Sequence, residues 1–256
     1  MSLLNKIQNM LSKRKHIDVK ILPSQGFFYE SDFKIHIKRA EDEDIADYEN
    51  EFNKENIGAI LNKLKMIVER NTIIRGNYDF NHIRSIDVVY LFLEIVKFTK
   101  NKSIIIEYWD DENGTNSSLE FSTENFNYFE LDENLLESWN TEFRSFDIDG
   151  YKYKLPSIGI ENSVTAYLIE KSYEQNAEKF NEYNYNFTYF LGNKDTLSFQ
   201  EIENLIQIFN FDIDREERIL IDKIVSNMNS IQKYSLRKGK RVIDLNAKLN
   251  LEKIWK

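Results

Sequence analysis

Three histidines are the side chains in this sequence best suited to bind a metal or to transfer a proton near neutral pH. His16, His36 and His82 are widely separated and have no metal-ligand spacing, and the chain has no cysteine that could complete a zinc site. We therefore expect isolated histidines on strands or on the surface, and no shared metal site. The patterns GxxxxGK(S/T) and GxGxxG are also absent, so the sequence predicts no phosphate-binding loop and no cofactor.

Serines and carboxylates give no stronger sign of catalysis. Ser24 and Ser157 each follow a proline, but neither lies in a nucleophile elbow or has a marked base. Asp110–Glu112 could form an acidic pocket, although such runs are usually solvated in turns. Asp147–Gly150 has its glycine too early for a calcium loop, and Asp212–Asp214 lacks the central glycine and the closing glutamate. A hairpin turn and a helix cap explain these two better, so no catalytic, cofactor-binding or metal-binding residue is predicted.

Two further segments could contact a partner. The basic segment Arg237–Arg241 is the best local anion-binding candidate, although a solvated hairpin tip, which needs no function, explains it better. The aromatic segment Tyr183–Phe190 has no interleaved lysine or arginine, which favours core or protein contacts over base stacking. Because the net charge is −9 and the isoelectric point is about 5.1, broad binding to nucleic acid is not expected.

The longest apolar segment predicts a central helix at Ser85–Thr99, with the sequence SIDVVYLFLEIVKFT. We expect Ser85 to cap this helix and Asp87 to lie in its first turn, where negative charge is favourable. Apolar residues occupy nearly every face, which is typical of a helix that is covered on several sides. Its β-branched residues leave a single strand as an alternative, but the segment is long for one strand.

The first part of the chain alternates strand and helix patterns. His16–Leu22 reads as an edge strand because Pro23 follows it. The remaining predictions are extended segments at Phe27–Tyr29 and Phe33–Ile37, a short helix that includes Ile45, Tyr48 and Phe52, a helix at Asn56–Glu69 and a connection at Thr72–His82.

The second part begins with hairpins and ends with helices and one more hairpin. We predict strands at Ser103–Trp109, Leu119–Ser122, Phe126–Leu131, Phe146–Ile148 and Tyr151–Leu155, and a helical turn at Leu135–Trp139. Helices are expected at Ser163–Tyr183, after a capping box formed by Ser198 and Glu201, and after Asp214, before a hairpin at Lys233–Leu236 and Val242–Leu245.

These patterns predict an α+β protein whose N-terminal part mixes strands and helices and whose C-terminal part is mostly helical and ends in a β-hairpin. We divide it into an N-terminal helix or arm (1–15), an α+β domain (16–160) and a mainly helical domain (161–256). The two prolines share one frame, Leu22-Pro-Ser-Gln-Gly26 and Leu155-Pro-Ser-Ile-Gly159. We interpret them as two similar strand exits. A duplicated module is the alternative, although the flanking sequences align poorly.

Composition limits the location of the protein. No apolar run reaches the roughly 20 residues needed to span a bilayer, and residues 1–15 lack a continuous signal-peptide core. The apolar face of this N-terminal segment favours a docking helix, with contact at a membrane surface as the alternative. The absence of cysteine fits an intracellular protein.

The order of these features carries a family resemblance. The relevant segments are the strand exit Leu22–Tyr29, the strand Lys34–Lys38, the helix Asn56–Glu69, the Ile-Asp-x-x-Tyr-Leu-x-Leu pattern within Ser85–Leu93 and the second exit at Leu155–Pro156. Together they resemble the baseplate hub and assembly proteins of T-even-type contractile-tailed phages, over residues 16–160 and more loosely over 195–256. Cysteine pairs near the two hairpins of that family are missing here, so no metal-ribbon role is expected.

The resemblance implies a non-enzymatic virion component or assembly chaperone that contacts other tail and baseplate proteins. Such a protein works in the host cytoplasm during assembly, and a virion component remains in the tail baseplate. Homo-oligomerisation is left open. The alternatives are a host-directed phage protein, a hydrolase built from scattered carboxylates, or a regulatory nucleic-acid binder that acts through Arg237–Arg241.

Overall fold

A computed structural model of the chain describes residues 15–52, 57–110, 113–122, 128–131, 133–148, 151–173, 195–207, 235–238 and 241–244, with scattered positions between 215 and 226. These residues form an α+β fold, as the sequence predicts. The helices are α1 (Asp42–Phe52), α2 (Ile57–Asn71), α3 (Ser85–Lys100), α4 (Ile158–Tyr173) and α5 (Phe199–Gln207). Short 3-10 helices occur at Phe80–His82 and Glu133–Ser138.

All of the described sheets are small and antiparallel. The strands are β1 (His16–Val19), β2 (Lys34–Lys38), β3 (Thr72–Arg75), β4 (Ile105–Asp110), β5 (Thr115–Glu120), β6 (Trp139–Asn140), β7 (Ser145–Ile148), β8 (Tyr151–Tyr153), β9 (Ser235–Lys238) and β10 (Arg241–Asp244). They pair in the orders β1-β2-β3, β4-β5, β6-β7-β8 and β9-β10. β1 is an edge strand, as the proline after it predicts.

The predicted central helix is confirmed as α3. Twelve of its sixteen residues are buried, and Leu91, Phe92 and Leu93 have no exposed surface. The helix ends at Asn101, whose left-handed φ of 52° and bond from its N–H to the Lys97 carbonyl close the last turn. The expectation that Ser85 caps α3 is wrong, because Arg84 occupies the N-cap position and makes no side-chain capping bond.

Apolar burial falls into two clusters that meet at α3. The first surrounds most of α3 and includes residues from α2 and β2, among them Leu64, Ile67, Ile35 and Ile37. The second contains the buried residues Phe28, Ile86, Phe129, Phe146, Tyr153, Leu155, Ile160, Val164, Tyr167 and Ile202. Its members come from segments before and after residue 160, where the sequence predicts a domain boundary. Residue 160 itself lies inside α4.

Several local predictions are wrong for a common reason, namely contacts that are distant in sequence. Thr72–His82, expected as a connection, begins with β3, because Thr72–Arg75 pairs with β2. Phe27–Tyr29 is a turn and not an extended segment, since the Phe27 and Tyr29 amides donate to the Ser24 and Gly26 carbonyls. Tyr128–Leu131 is not a strand, although the Phe129 amide donates to the Pro23 carbonyl at 2.7 Å.

Helix α4 begins five residues earlier than the predicted Ser163. Ser157 precedes it, and its Oγ accepts from the Ile160 amide at 3.3 Å, as a helix-capping serine does. A Cβ at Gly159 would clash with the Asp195 carbonyl oxygen and would lie 2.9 Å from Asn81 Cβ and 3.0 Å from Thr196 Cγ2. The close approach of these segments therefore requires glycine.

Other local predictions are confirmed or lie outside the described residues. The Ser198–Glu201 capping box opens α5, with the Ser198 amide donating to Glu201 Oε2 at 2.8 Å. The C-terminal hairpin forms, although Arg237, Lys238 and Arg241 belong to its strands. The predictions for residues 1–14, for Tyr183–Phe190 and for most of the helix after Asp214 fall on residues that are not described.

Candidate functional site

The two Leu-Pro-Ser exits meet at the start of α3. Pro23 accepts a backbone N–H from Phe129, and Pro156 accepts one from Ser85 at 3.0 Å. Next to the second contact, the Ile158 amide donates to the Ile83 carbonyl at 2.8 Å, and Arg84 and Ser157 form an antiparallel bridge. The second exit thus holds the chain that leads into α3, while Pro23 of the first exit holds the segment that contains Phe129.

Asp87 is the polar centre of this region and has no exposed surface. Its Oδ1 accepts from the Ser24 backbone amide at 2.9 Å. Its Oδ2 accepts from Ser24 Oγ and from the Tyr29 hydroxyl, each at 2.8 Å. The Tyr29 hydroxyl in turn accepts from the Arg84 amide at 2.7 Å. The carboxylate therefore ties the turn after β1 to the first turn of α3.

Burial controls the protonation of this centre. It raises the pKa of Asp87 to about 6, even though the donors from Ser24 and Tyr29 favour the charged form. Burial, with a further contribution from the Asp87 charge, also raises the pKa of Tyr29 well above its ordinary value. Tyr29 is therefore a hydrogen-bond donor at all ordinary pH values, whereas Asp87 titrates in the mildly acidic range.

Arg84, the residue before α3, is the centre of a second polar cluster. Its side chain is 4% exposed, and Nη1 donates to the Leu155 carbonyl at 3.1 Å and lies 3.1 Å from Asp195 Oδ1. His82 Nε2 is 3.9 Å from Asp195 Oδ2, while its Nδ1 faces Asp79. Burial, together with the Arg84 charge, lowers the pKa of Lys154 to about 8. Arg84 thus joins the second exit to the segment before α5.

These contacts indicate a structural role for the serines that we considered as nucleophiles. Ser24 and Ser157 both have no exposed surface, so a substrate does not reach them in this conformation. The Ser24 hydroxyl already donates to Asp87, and the Ser157 hydroxyl donates to the Asp195 carbonyl at 3.2 Å. No histidine takes part in either contact. The arrangement holds loops in place and offers no activated nucleophile at these two positions.

The acidic candidates also form local contacts. Asp110 is 5% exposed, in contrast to the expected solvated turn, and its Oδ2 accepts from Asn113 Nδ2 at 3.0 Å. Asp147 accepts from Asn140 Nδ2 at 2.8 Å and from Ser145 Oγ at 2.7 Å, which ties β6 to β7. Asp111, Glu112, Asp149, Gly150 and Asp212–Asp214 lie outside the described residues.

The histidines are less isolated than their spacing suggests. Pairing of β1 with β2 brings the rings of His16 and His36 to 5.6 Å, and His36 Nδ1 lies 2.6 Å from Asp18 Oδ1. The pairing of the two strands reveals this contact, whereas the spacing of the histidines in the sequence does not. Within the described part of the chain, no group of three or more potential ligands could hold a metal ion.

A cavity of about 520 Å³ opens beside these histidines, between the chain after β1 and the start of β2. Its lining residues are Asp18, Val19, Lys20, Ile21, Leu22, Gln25, Gly26, Phe33, Lys34, Ile35 and His36. Asp18 is the single carboxylate in this lining, so the cavity lacks the carboxylate pair that acid–base hydrolysis of a glycosidic bond would require.

The hairpin β4–β5 presents large apolar side chains to solvent. Ile105 and Trp109 lie four residues apart on β4 and are 50% and 48% exposed, with the exposed Glu107 between them. Asn116 and Ser118 lie opposite Trp109 and Glu107 on β5 and are also exposed. We call these five residues the hairpin face. Tryptophan beside aliphatic side chains and a polar rim is typical of protein–protein contact surfaces.

Comparison of the chain with protein-family models, with curated proteins and with solved structures finds no match. Among the described helices, none has the length and apolar character needed to cross a bilayer.

Proposed function

We propose that this chain is a non-enzymatic structural or assembly protein of a contractile phage tail baseplate, and that it acts in the hub through contacts with other tail proteins. The proposal rests on the resemblance carried by the segments named above. Its main support is that three of these segments, Leu22–Tyr29, Ser85–Leu93 and Leu155–Pro156, contact one another around Asp87 and Arg84. The residues that carry the resemblance therefore belong to one packed region of the fold.

The same contacts support a binding role over a catalytic one. Ser24, Tyr29 and Asp87 are hydrogen-bonded to one another in a buried cluster, so their polarity serves to fix the α3 start. Fixing a core in this way gives a rigid body on which contact surfaces keep their shape.

The hairpin face is the surface that we assign to a tail-protein partner. Trp109 and Ile105 are exposed apolar residues on β4. The paired strand β5 carries Leu119, which packs against the first core cluster. Truncating a tryptophan that is buried in a partner pocket often costs about 1 kcal/mol of binding free energy or more. The protein would act in the host cytoplasm during assembly, either as a chaperone that leaves or as a component that stays in the baseplate.

Affinity purification of the tagged protein from infected cells, with mass spectrometry of the captured proteins and of purified virions, tests the proposal. We expect the wild-type chain to capture phage tail proteins. The double variant W109A/I105S should capture at least about tenfold less, since the apolar anchors are lost. The control is L136A/I169S, which changes two apolar residues of similar exposure, 51% and 53%, elsewhere on the surface.

The outcomes test the baseplate role and the assignment of the hairpin face separately. Capture of host enzymes alone, with no tail protein in the wild-type sample, contradicts the baseplate role. Equal capture of tail proteins by W109A/I105S and by the control contradicts only the assignment of the hairpin face. Presence or absence in purified virions distinguishes a baseplate component from an assembly chaperone.

A further inference from the structure

The sheet β1-β2-β3 has one face turned to the core and one turned away. Side chains alternate along each strand, so Ile35 and Ile37 are buried while Lys34 and Lys38 are exposed. The outward set contains His16, Asp18, Lys34, His36, Lys38, Ile73 and Arg75, together with the exposed Lys20 directly after β1. We call this set the basic face, because it carries four permanent cations and one acid on a chain whose net charge is −9.

Two cations of the basic face occupy positions where like charges repel each other. Lys34 lies directly opposite Arg75 in the register of β2 with β3. Side chains in such cross-strand positions lie about 5 Å apart at Cβ, and like charges there destabilise the sheet. The acid in this set, Asp18, is hydrogen-bonded to His36 and also interacts with the charge of Arg75, but it is 69% exposed, so solvent screens this attraction.

Cations elsewhere in the described part of the chain are commonly paired. Lys63 contacts Asp47, Lys65 contacts Glu161, and Lys171 contacts Glu203, with N–O distances of 2.8, 2.8 and 3.1 Å. In contrast, none of Lys20, Lys34, Lys38 and Arg75 forms an ion pair with any described residue. These four positions therefore form an open basic patch, although the chain has 43 acidic residues.

The 520 Å³ cavity lies at one end of the basic face and adds an apolar element. Lys20 and Lys34 line it together with Phe33 and with Ile21, which is 52% exposed. The ring of Phe33 is stacked on Tyr29, with centroids 3.9 Å apart and nearly parallel planes. Tyr29 covers one face of this ring and holds it in place, so Phe33 is a fixed wall of the cavity.

We propose that the basic face and its cavity bind an extended acidic polypeptide segment of another protein. Its carboxylates would contact Lys20, Lys34, Lys38 and Arg75, and an apolar side chain of the same segment would enter the cavity. An anion between Lys34 and Arg75 relieves their repulsion, so charge complementarity contributes directly to binding. This surface is separate from the hairpin face, and the inference does not depend on the baseplate role.

Fluorescence anisotropy with a labelled peptide of alternating glutamate and leucine tests this inference. We expect the full-length wild-type chain to bind the peptide at low salt and to release it as the salt concentration rises, because exposed charges are screened. The variant K20E/K34E/K38E should bind at least about tenfold more weakly. The matched control K102E/K248E/K253E changes the net charge equally at lysines outside the basic face and outside Arg237–Arg241, and it should bind like the wild type.

The single variant K34E keeps the test independent of folding. A glutamate opposite Arg75 replaces a repulsive cross-strand pair with an attractive one, so K34E should melt at a higher temperature than the wild type. The same variant should bind the peptide more weakly. A merely structural role for Lys34 does not predict opposite changes in stability and affinity.

Three results would overturn the inference. The first is a wild-type chain that does not bind the peptide at low salt. The second is that K34E binds the peptide as tightly as the wild type does, or that the two triple variants bind it with the same affinity as each other. The third is tighter binding of a labelled single-stranded DNA of the same length and charge, which would assign the basic face to nucleic acid.

Discussion

At the scale of single residues, Asp87 shows how a buried charge can be kept for structure. Its carboxylate accepts hydrogen bonds from the Ser24 amide and hydroxyl and from the Tyr29 hydroxyl. Complete burial nevertheless raises its pKa from 3.8 to about 6, so the loss of hydration outweighs these donors. The folded state therefore binds a proton at Asp87 more readily than the unfolded state does.

The first prediction concerns the pH dependence that this shift creates. Because the folded pKa is the higher one, Asp87 lowers the stability of the fold as pH rises through the window from about 4 to about 6. Replacing Asp87 with Asn should remove this effect. Relative to the wild type, D87N should gain roughly 2–3 kcal/mol in the free energy of unfolding between pH 4 and pH 7. Urea denaturation at several pH values measures it.

The control for D87N is D18N. The bond to His36 lowers the pKa of the exposed Asp18, so its contribution is present at neutral pH and is lost as the pH falls toward and below 4. The D18N difference should therefore change with pH in the opposite direction. A D87N difference that is the same at pH 4 and pH 7 would contradict the raised pKa of Asp87.

At the scale of elements, α3 is stable because other elements cover it. Its β-branched and aromatic residues are moderate helix formers, so burial must supply most of the stabilisation. α2 and β2 pack against it, and Tyr48 of α1 lies 5.3 Å from Phe92 between ring centroids. A charge introduced on any covered side of α3 would meet apolar neighbours.

The second prediction tests this coverage with one substitution at two depths. Leu91 has no exposed surface, so L91D buries an unpaired carboxylate and should prevent soluble folding. The matched variant I169D places the same charge on α4 at a side chain that is 53% exposed. Its unfolding free energy should stay within about 1 kcal/mol of the wild type. Soluble expression and circular dichroism report the result, and cooperative unfolding of soluble L91D would refute it.

At the scale of the whole molecule, α3 belongs to both apolar clusters. Ile86 lies in the second cluster and Val88 and Val89 in the first, only one turn away. Arg84 adds polar contacts to Leu155 and Asp195 at the same point. Segments before and after residue 160 thus share one helix start, although the sequence alone suggests a boundary there.

The third prediction is that the two clusters unfold together. Trp139 packs against Phe28 and Phe146 in the second cluster, with ring centroids 5.6 and 5.1 Å away. In the variant W109F/W255F, Trp139 is the remaining tryptophan and reports on that cluster alone. Its fluorescence and the far-UV circular dichroism should change at the same urea concentration. Two separated transitions would show that the clusters are independent domains.

The sequence by itself determined the elements whose signals are local. The apolar run that forms α3, the capping box of α5 and the alternation of β2 were all readable, because helix and strand periods repeat within a few residues. The α+β class follows from the same signals. The use of the two Leu-Pro-Ser segments as chain exits was also predicted from the sequence.

Only the tertiary structure decided where polar residues meet. It placed Asp87 in the core, brought His16 to His36, and set Lys34 opposite Arg75 by adding the strand β3 that the sequence pattern missed. It also showed that Ser157 caps the start of α4, and that Gly159 in the first turn of this helix allows close contact with the segment around Asp195. Burial and strand register depend on contacts between residues far apart in the chain, and the periodicity of a short segment carries no information about those partners.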